Sequence, residues 1–274
     1  MMNDFIHIFD VRSEQNKKLA EYLYEFETPG QACEDRKKRI RQLRNYGGSA
    51  GEELADRIED CHWGFSVNSH KHAPCASLAC SVCARAYRLW LAGRARILLK
   101  PYKKHQLQWV TIIPKKGVPY HTLRKFDHTR LKRSIQRILR ESIPSNVVVV
   151  GGMDFNIDDR GEKTLWQPHI HIIVVGEDRE MDKLRKHYQG KKTCTGSSQC
   201  KIVSVYKRKK LLTYIFKNDF IRKEKSPTEE DQENKLRVGE LCELLLYLDS
   251  MSFDDRLITR NLSRRKDKLV YKSY

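Results

Sequence analysis

Acidic residues are outnumbered in this chain. Its 53 Lys and Arg stand against 35 Asp and Glu across 274 residues, leaving a formal charge of +18. Such an excess says nothing about fold, but it draws a protein toward polyanions. Long apolar runs are missing as well. No stretch reaches the roughly 18 apolar residues of a membrane-spanning helix, and neither a signal-peptide pattern nor a lipidation signal is present. Of the two polyanions, nucleic acid is therefore favoured over an anionic membrane surface, and a cytoplasmic location is expected. Internal repeats are also absent. A chain of this length can bury a full core, so one compact domain with helical additions is expected.

The basic residues cluster in Arg36-Lys37-Lys38-Arg39, Lys207-Arg208-Lys209-Lys210 and Arg264-Arg265-Lys266. Tyr46, Tyr206, Tyr214 and Tyr271 lie within or near these clusters. That mixture suits a groove that tracks a phosphate backbone while stacking single-stranded bases. Lys207, Arg208, Lys209 and Lys210 are the DNA-binding residues expected nearest the candidate chemistry below.

Eight cysteines without a secretory signal argue for thiols or metal ligands over a disulfide framework. Cys61 is followed by Cys75-x4-Cys80-x2-Cys83. A thiolate pair two residues apart clips one side of a tetrahedral ion, and a second pair closes it. These four cysteines are expected to hold structural Zn²⁺. His62, His70 and His72 fall in the same segment, so a set of three cysteines and one histidine is the alternative. Cys33 and Cys242 fall in helix-like segments and read as core. Cys194 and Cys200 flank a loop, Thr-Gly-Ser-Ser-Gln, with only two ligands evident.

Pro168-His169-Ile170-His171-Ile172 places two imidazoles two positions apart in an apolar run ending at Val175. On a β-strand, i and i+2 project from one face while the residue between points the other way. Two neutral imidazoles side by side make half of a divalent-metal site. Further on, Leu211-Leu212-Thr213-Tyr214-Ile215-Phe216-Lys217 lies in a span, residues 202–222, that has neither Gly nor Pro, so it can be helical from Lys209. Tyr214 and Lys217 would then share a helix face. A lysine beside a phenol favours the phenolate and can steady a phosphoryl oxygen.

Read in order, residues 13–26, 32–46 and 51–60 look helical. The cysteine cluster runs into a helix over 84–100. A strand over 107–113, a helix over 129–141 and a second strand over 147–157 follow. Asp158-Asp159-Arg160-Gly161 is turn chemistry, which makes a hairpin with the histidine strand. A helix over 181–188, a short strand over 202–205 and the Tyr214 helix complete the centre. Residues 224–234 read as a charged linker, 237–251 as an apolar helix, and the rest as a basic tail. Three regions result: a charged helical part (1–60), a core (61–224), and a linker, helix and basic tail (225–274). The fold class is α+β.

The order Cys-x4-Cys-x2-Cys, apolar strand, Gln-Pro-His-Ile-His-Ile-Ile-Val, then Tyr-Ile-Phe-Lys resembles the rolling-circle replication initiators, the Rep proteins of the HUH endonuclease superfamily. The likeness spans roughly residues 61–225. It implies a central antiparallel sheet with flanking helices, the histidines on a central strand and a nucleophilic tyrosine on a nearby helix. It also implies attack on one phosphodiester of single-stranded DNA, giving a 5′-phosphotyrosine and a free 3′-hydroxyl. His169 and His171 match the ligands of a catalytic Mg²⁺ or Mn²⁺, and Tyr214 and Lys217 match the third motif. Asp154 is the expected third ligand, with Gln167 and Glu162 as alternatives. The implied partners are single-stranded or hairpin origin DNA and a host helicase and polymerase. Positions 210 and 218 are Lys and Asn, so a single-tyrosine enzyme is expected. Ile173 stands where a histidine-triad hydrolase needs a third histidine. A transposase or relaxase using the same chemistry, or a non-catalytic zinc-containing DNA-binding protein, are the competing readings.

Overall fold

The computed structural model describes residues 14–23, 25–61, 74–205, 208–215, 220–224, 232–265 and 268–271. Its centre is a mixed sheet. The strands are β1 (Leu107–Ile112), β2 (Val118–Pro119), β3 (Val148–Asp159), β4 (Leu165–Val175), β5 (Cys200–Ser204), β6 (Ile221–Glu224), β7 (Gln232–Lys235) and β8 (Leu257–Arg260). They run in the order β5-β1-β4-β3-β6-β7, with β2 beside the start of β4 and β8 beside the first half of β3. The expected antiparallel arrangement holds from β5 to β3 and on to β8. It fails at β6, which joins β3 in parallel. That join is fixed by Arg222, whose buried guanidinium pairs with Asp159 of β3, Glu224 of β6 and Glu240. A buried cation needs such compensation, and removing any one partner would leave charge stranded.

β3 and β4 form the predicted hairpin, though Asp158 and Asp159 are still strand and the turn falls at 160–164. Its register sets Asp154 opposite His169 and Gly152 opposite His171. A Cβ added at Gly151 would press into the His171 carbonyl and lie 2.5 Å from the Ile172 Cα. Only glycine therefore lets β3 approach the histidine strand so closely. Alternation sends Asp154, Asn156, His169 and His171 to one face, and Phe155, Ile157 and Ile170 to the other. Trp109 and Thr111 of β1, opposite Ile173 and His171, join the first face.

Helices cover both faces: α1 (Glu14–Tyr22), α2 (Pro29–Tyr46), α3 (Gly48–Glu59), α4 (Ser81–Leu99), α5 (His128–Ser142), α6 (Asp182–Tyr188), α7 (Arg208–Tyr214), α8 (Val238–Asp249) and α9 (Phe253–Arg256). Several begin a turn earlier than their apolar pattern suggests. In α2, Pro29 sits at the first helical position and Thr28 forms a capping box with Gln31, extending the helix back from Ala32. On the first face α7 brings Tyr214 edge-on to Trp109. On the second, the rings of Phe126 and Tyr247 pack on Phe155. Asp127 then caps α5 through the Arg130 amide, so α5 departs from that second face.

Two segments differ from their sequence reading. Residues 224 and 232–234 of the charged linker lie in paired strands, and residues 225–231 fall outside the described ones. The basic tail is folded: β8 joins the main sheet, while β9 (Leu262–Arg265) and β10 (Lys268–Tyr271) make a separate hairpin. Leu257, Ile258 and Leu262 are buried there, core positions that the high charge of the tail had hidden. Among the described residues, no helix is long and apolar enough to cross a membrane.

Candidate functional site

Two groups of candidate ligands stand apart. The first is the cysteine cluster. Cys61 follows α3, Cys80 is the N-cap of α4, and Cys83 lies in its first turn. The Cys61 and Cys83 sulfurs are 3.5 Å apart, and those of Cys75 and Cys83 are 3.6 Å apart. All four sulfurs lie within 4.8 Å of one another. Four thiolates on a tetrahedral ion with bonds of about 2.3 Å would sit about 3.8 Å apart, close to these distances. The Cys75 amide also donates to the Cys61 sulfur at 3.4 Å, support of the kind a thiolate ligand needs. The sulfurs compete for protons: thiols of Cys75, Cys80 and Cys83 hold Cys61 below its ordinary range, while sharing with Cys61 drives Cys83 well above it. A metal dication relieves that conflict by letting all four ionise. The four cysteines could hold a metal such as zinc.

The second group is the histidine pair on β4. The rings of His169 and His171 lie 5.9 Å apart by centroid on the same face of the sheet. His169 is buried, and burial, followed by the neighbouring His171 and Lys223, pushes it down to about 3. It is therefore neutral, the form in which an imidazole can serve as a ligand. Neighbouring strands hold each ring at Nδ1: the Asn156 amide of β3 is 2.8 Å from His169, and the Thr111 hydroxyl of β1 is 3.1 Å from His171. His171 also stacks on Trp109, with centroids 5.4 Å apart and planes 15° apart. The rings are held from both sides.

Asp154 lies opposite His169 in register, but its carboxylate accepts from the Phe155 amide at 2.9 Å and faces the buried Arg256 guanidinium at 3.8 Å. Among the described residues, the four cysteines are the one group of three or more His, Cys, Asp or Glu ligands lying within 4.8 Å of one another. His169, His171 and Asp154 do not form such a group. His169 instead shares a small cavity of about 70 Å³ with Gln167, Asn156, Asp158, Arg160 and Thr195. Burial alone would raise the Asp158 carboxyl, but hydrogen bonds from Arg160 and Thr195 hold it below the usual carboxylate range. Of the two alternative ligands, Gln167 lines this cavity, while Glu162 is exposed on the turn.

Tyr214 closes α7 about a third exposed. Its ring meets Trp109 edge-on, with centroids 6.5 Å apart. One indole thus separates the tyrosine from His171. Tyr214 also borders a groove of about 510 Å³ together with Lys210, Thr213 and Phe220. Lys210 is exposed and Arg208 and Lys209 belong to α7, whereas Lys217, Lys207 and Tyr206 lie outside the described residues, as do His62, His70 and His72. Cys194 is exposed with its thiol toward the Gln167 side-chain oxygen at 3.9 Å, and Cys200 is strand, its thiol pushed up to about 12 by burial. Among the described residues those two form no ligand group.

Trp109, Thr111 and Asn156 escaped the sequence reading. Their signal was alternation: Trp109 and Thr111 are two apart on a predicted strand, as are Asp154 and Asn156. Which of them face the histidines depends on register, which no local pattern states. The chain matches no protein-family model, no curated protein and no solved structure.

Proposed function

We propose that this protein nicks single-stranded DNA by tyrosine attack and acts as an HUH-type replication initiator. The observation that supports it is the convergence of His169, His171 and Tyr214 on one sheet face, spaced by Trp109. His169 and His171 would hold Mg²⁺ or Mn²⁺ through Nε2, which for His169 requires the Asn156 amide to present its oxygen to a proton on Nδ1, and Gln167 lines the same cavity. Held there, an ion would supply Lewis-acid polarisation of the scissile phosphate. The Tyr214 phenolic oxygen attacks phosphorus as its proton departs. The bond from phosphorus to the 3′-oxygen breaks, and that oxygen takes a proton to become the free 3′-hydroxyl. The 5′-phosphate stays on tyrosine, so the phosphodiester's free energy is kept for rejoining. Lys217, three residues on, is the cation proposed to steady the phenolate. Lys207, Arg208, Lys209 and Lys210 would follow the strand's phosphates. Zn²⁺ on the four cysteines is proposed as structural. Host helicase and polymerase would use the exposed 3′ end.

His169→Ala or His171→Ala should lower nicking by at least about 100-fold, the range seen when one electrostatic partner of a transition state is lost. Melting temperature should hold for His171, whose ring is partly exposed. Near wild-type cleavage by either variant, with Mn²⁺ present, would remove the metal assignment. Asn156→Ala and Thr111→Ala act one step out. Each should weaken Mn²⁺ binding by about 10- to 100-fold in calorimetric titration, and unchanged affinity would show that the rings need no such support. A second reading, a non-catalytic zinc-containing DNA-binding protein, is favoured by one contrast. The cysteine group has four ligands, whereas among the described residues no carboxylate completes a ligand group with the histidine pair. A transposase or relaxase of a mobile element would use the same residues as an initiator, so substrate choice separates those.

A further inference from the structure

Helix α5 carries a charge pattern that the proposed chemistry leaves unused. Arg130, Arg133, Arg137 and Arg140 are spaced three, four and three apart. At 100° per residue they fall within about 80° of the helix circumference, and all four are exposed. Some other arginines are engaged by carboxylates: Arg44 by Asp56 and Glu59, Arg57 by Asp249, and Arg185 by Asp178 and Asp182. The exposed Arg41, Arg124 and Arg265 have no ion pair among the described residues, but they do not form a row on one helix face. The four on α5 have no ion-pair or hydrogen-bond partner for their side chains among the described residues. The helix holds one carboxylate, Glu141, at its far end. An unneutralised row of this kind repels itself and raises the local positive potential, which favours a facing polyanion.

We infer that the outer face of α5 is a second nucleic-acid surface, and that it grips the phosphate backbone of a duplex. Length supports the choice. Ten residues of helix span about 15 Å. Duplex phosphates recur every 3.4 Å of axis along each strand, so about four fall within that span. Four long guanidinium side chains on a rigid helix can thus reach several phosphates of a rigid duplex at once, those facing the helix across one groove edge. An anionic membrane is the poorer occupant, because a surface-seeking helix must offer its apolar side to lipid. In α5 that side is committed: Ile135 and Leu139 are buried in the core. Location adds a consequence. α5 leaves from the sheet face bearing Phe155, opposite the face of His171, Trp109 and Tyr214. A duplex held there would not compete with a single strand held at the tyrosine. The surface does not depend on tyrosine chemistry, so a protein without nicking activity would still display it.

The test is the salt dependence of binding to a short duplex of arbitrary sequence. With all four arginines changed to Gln, the log–log slope should become shallower by about 3 to 4, at about 0.9 per phosphate contact. The quadruple Arg→Lys variant should keep the wild-type slope, since it keeps the charges. Binding of an unstructured single strand should change far less. An unchanged duplex slope in the Gln variant would overturn the proposal. So would an equal loss on the single strand, or loss of binding to phosphatidylserine vesicles with duplex binding intact. Should the Gln variant melt early, wild-type protein decides: the duplex should protect these four arginines from a dicarbonyl reagent, and equal modification with and without duplex refutes the surface.

Discussion

Tyr214→Phe should abolish both strand cleavage and the covalent protein–DNA adduct, a loss on the order of 10⁴- to 10⁶-fold, as expected when a nucleophile is removed. The substitution deletes one oxygen. The ring remains, and with it the edge-on contact to Trp109. At a position about a third exposed, stability should move by no more than about 0.5 kcal/mol. Loss of activity without loss of fold is therefore the signature. Two companions make the result specific. Lys217→Ala should slow cleavage without ending it, because a neighbouring charge aids a nucleophile that it does not replace. Tyr206→Phe should still trap DNA. The deciding measurement is peptide mapping of the adduct formed with Mn²⁺ and a library of single-stranded hairpins. DNA on any tyrosine other than Tyr214 would overturn the assignment. No adduct with any substrate would leave the zinc-containing binding protein as the better reading.

What the sequence made legible was local. Cys75-x4-Cys80-x2-Cys83 is a short-range pattern, and the helix start at Cys80 turns that spacing into clustered sulfurs. Likewise, His169 and His171 share a face because any strand forces it, and the turn residues near Asp158 announce the hairpin. Longer-range features were hidden. The parallel join of β6 depends on Arg222 meeting Asp159 and Glu240 from distant segments. Asp154 looked available as a ligand because its neighbour Arg256 comes from residues that read as the join between a helix and a basic tail. The same charge that points to nucleic acid concealed the buried Leu257, Ile258 and Leu262. It also concealed the α5 arginines, which no run of adjacent charges reveals because their spacing is helical. Trp109 shows the cost for the candidate site. It stands between His171 and Tyr214, yet nothing within ten residues of it mentions either.

Removing metal from the cysteine cluster should destabilise the whole fold, beyond any effect on catalysis. Cys80 and Cys83 are fully buried at the start of α4, a helix whose Tyr87 stacks on Phe253 and whose Trp90 lies under Arg264. Cys61 ties the end of α3 to the same point, and Arg36 of α2 donates to the Cys61 carbonyl. Without an ion, three buried sulfurs and the half-buried Cys75 crowd within 4.8 Å of one another with no bond to hold them there, which weakens the packing around α4. Structural zinc contributes about 10 to 16 kcal/mol in small fingers that have little else. This chain has a large core of its own, so a loss of about 5 kcal/mol is the better expectation. For a chain of this size that corresponds to a fall in melting temperature of about 10 to 20 °C. Freshly purified, reduced protein should carry about one zinc per chain, and a strong chelator should produce that fall. Cys83→Ser should do the same without chelator and lose the zinc. If Cys61→Ser keeps full zinc while His62→Ala or His72→Ala loses it, the ligand set is three cysteines and a histidine. Absence of zinc from reduced protein, or a melting temperature indifferent to chelation, would leave the four sulfurs as reduced core thiols.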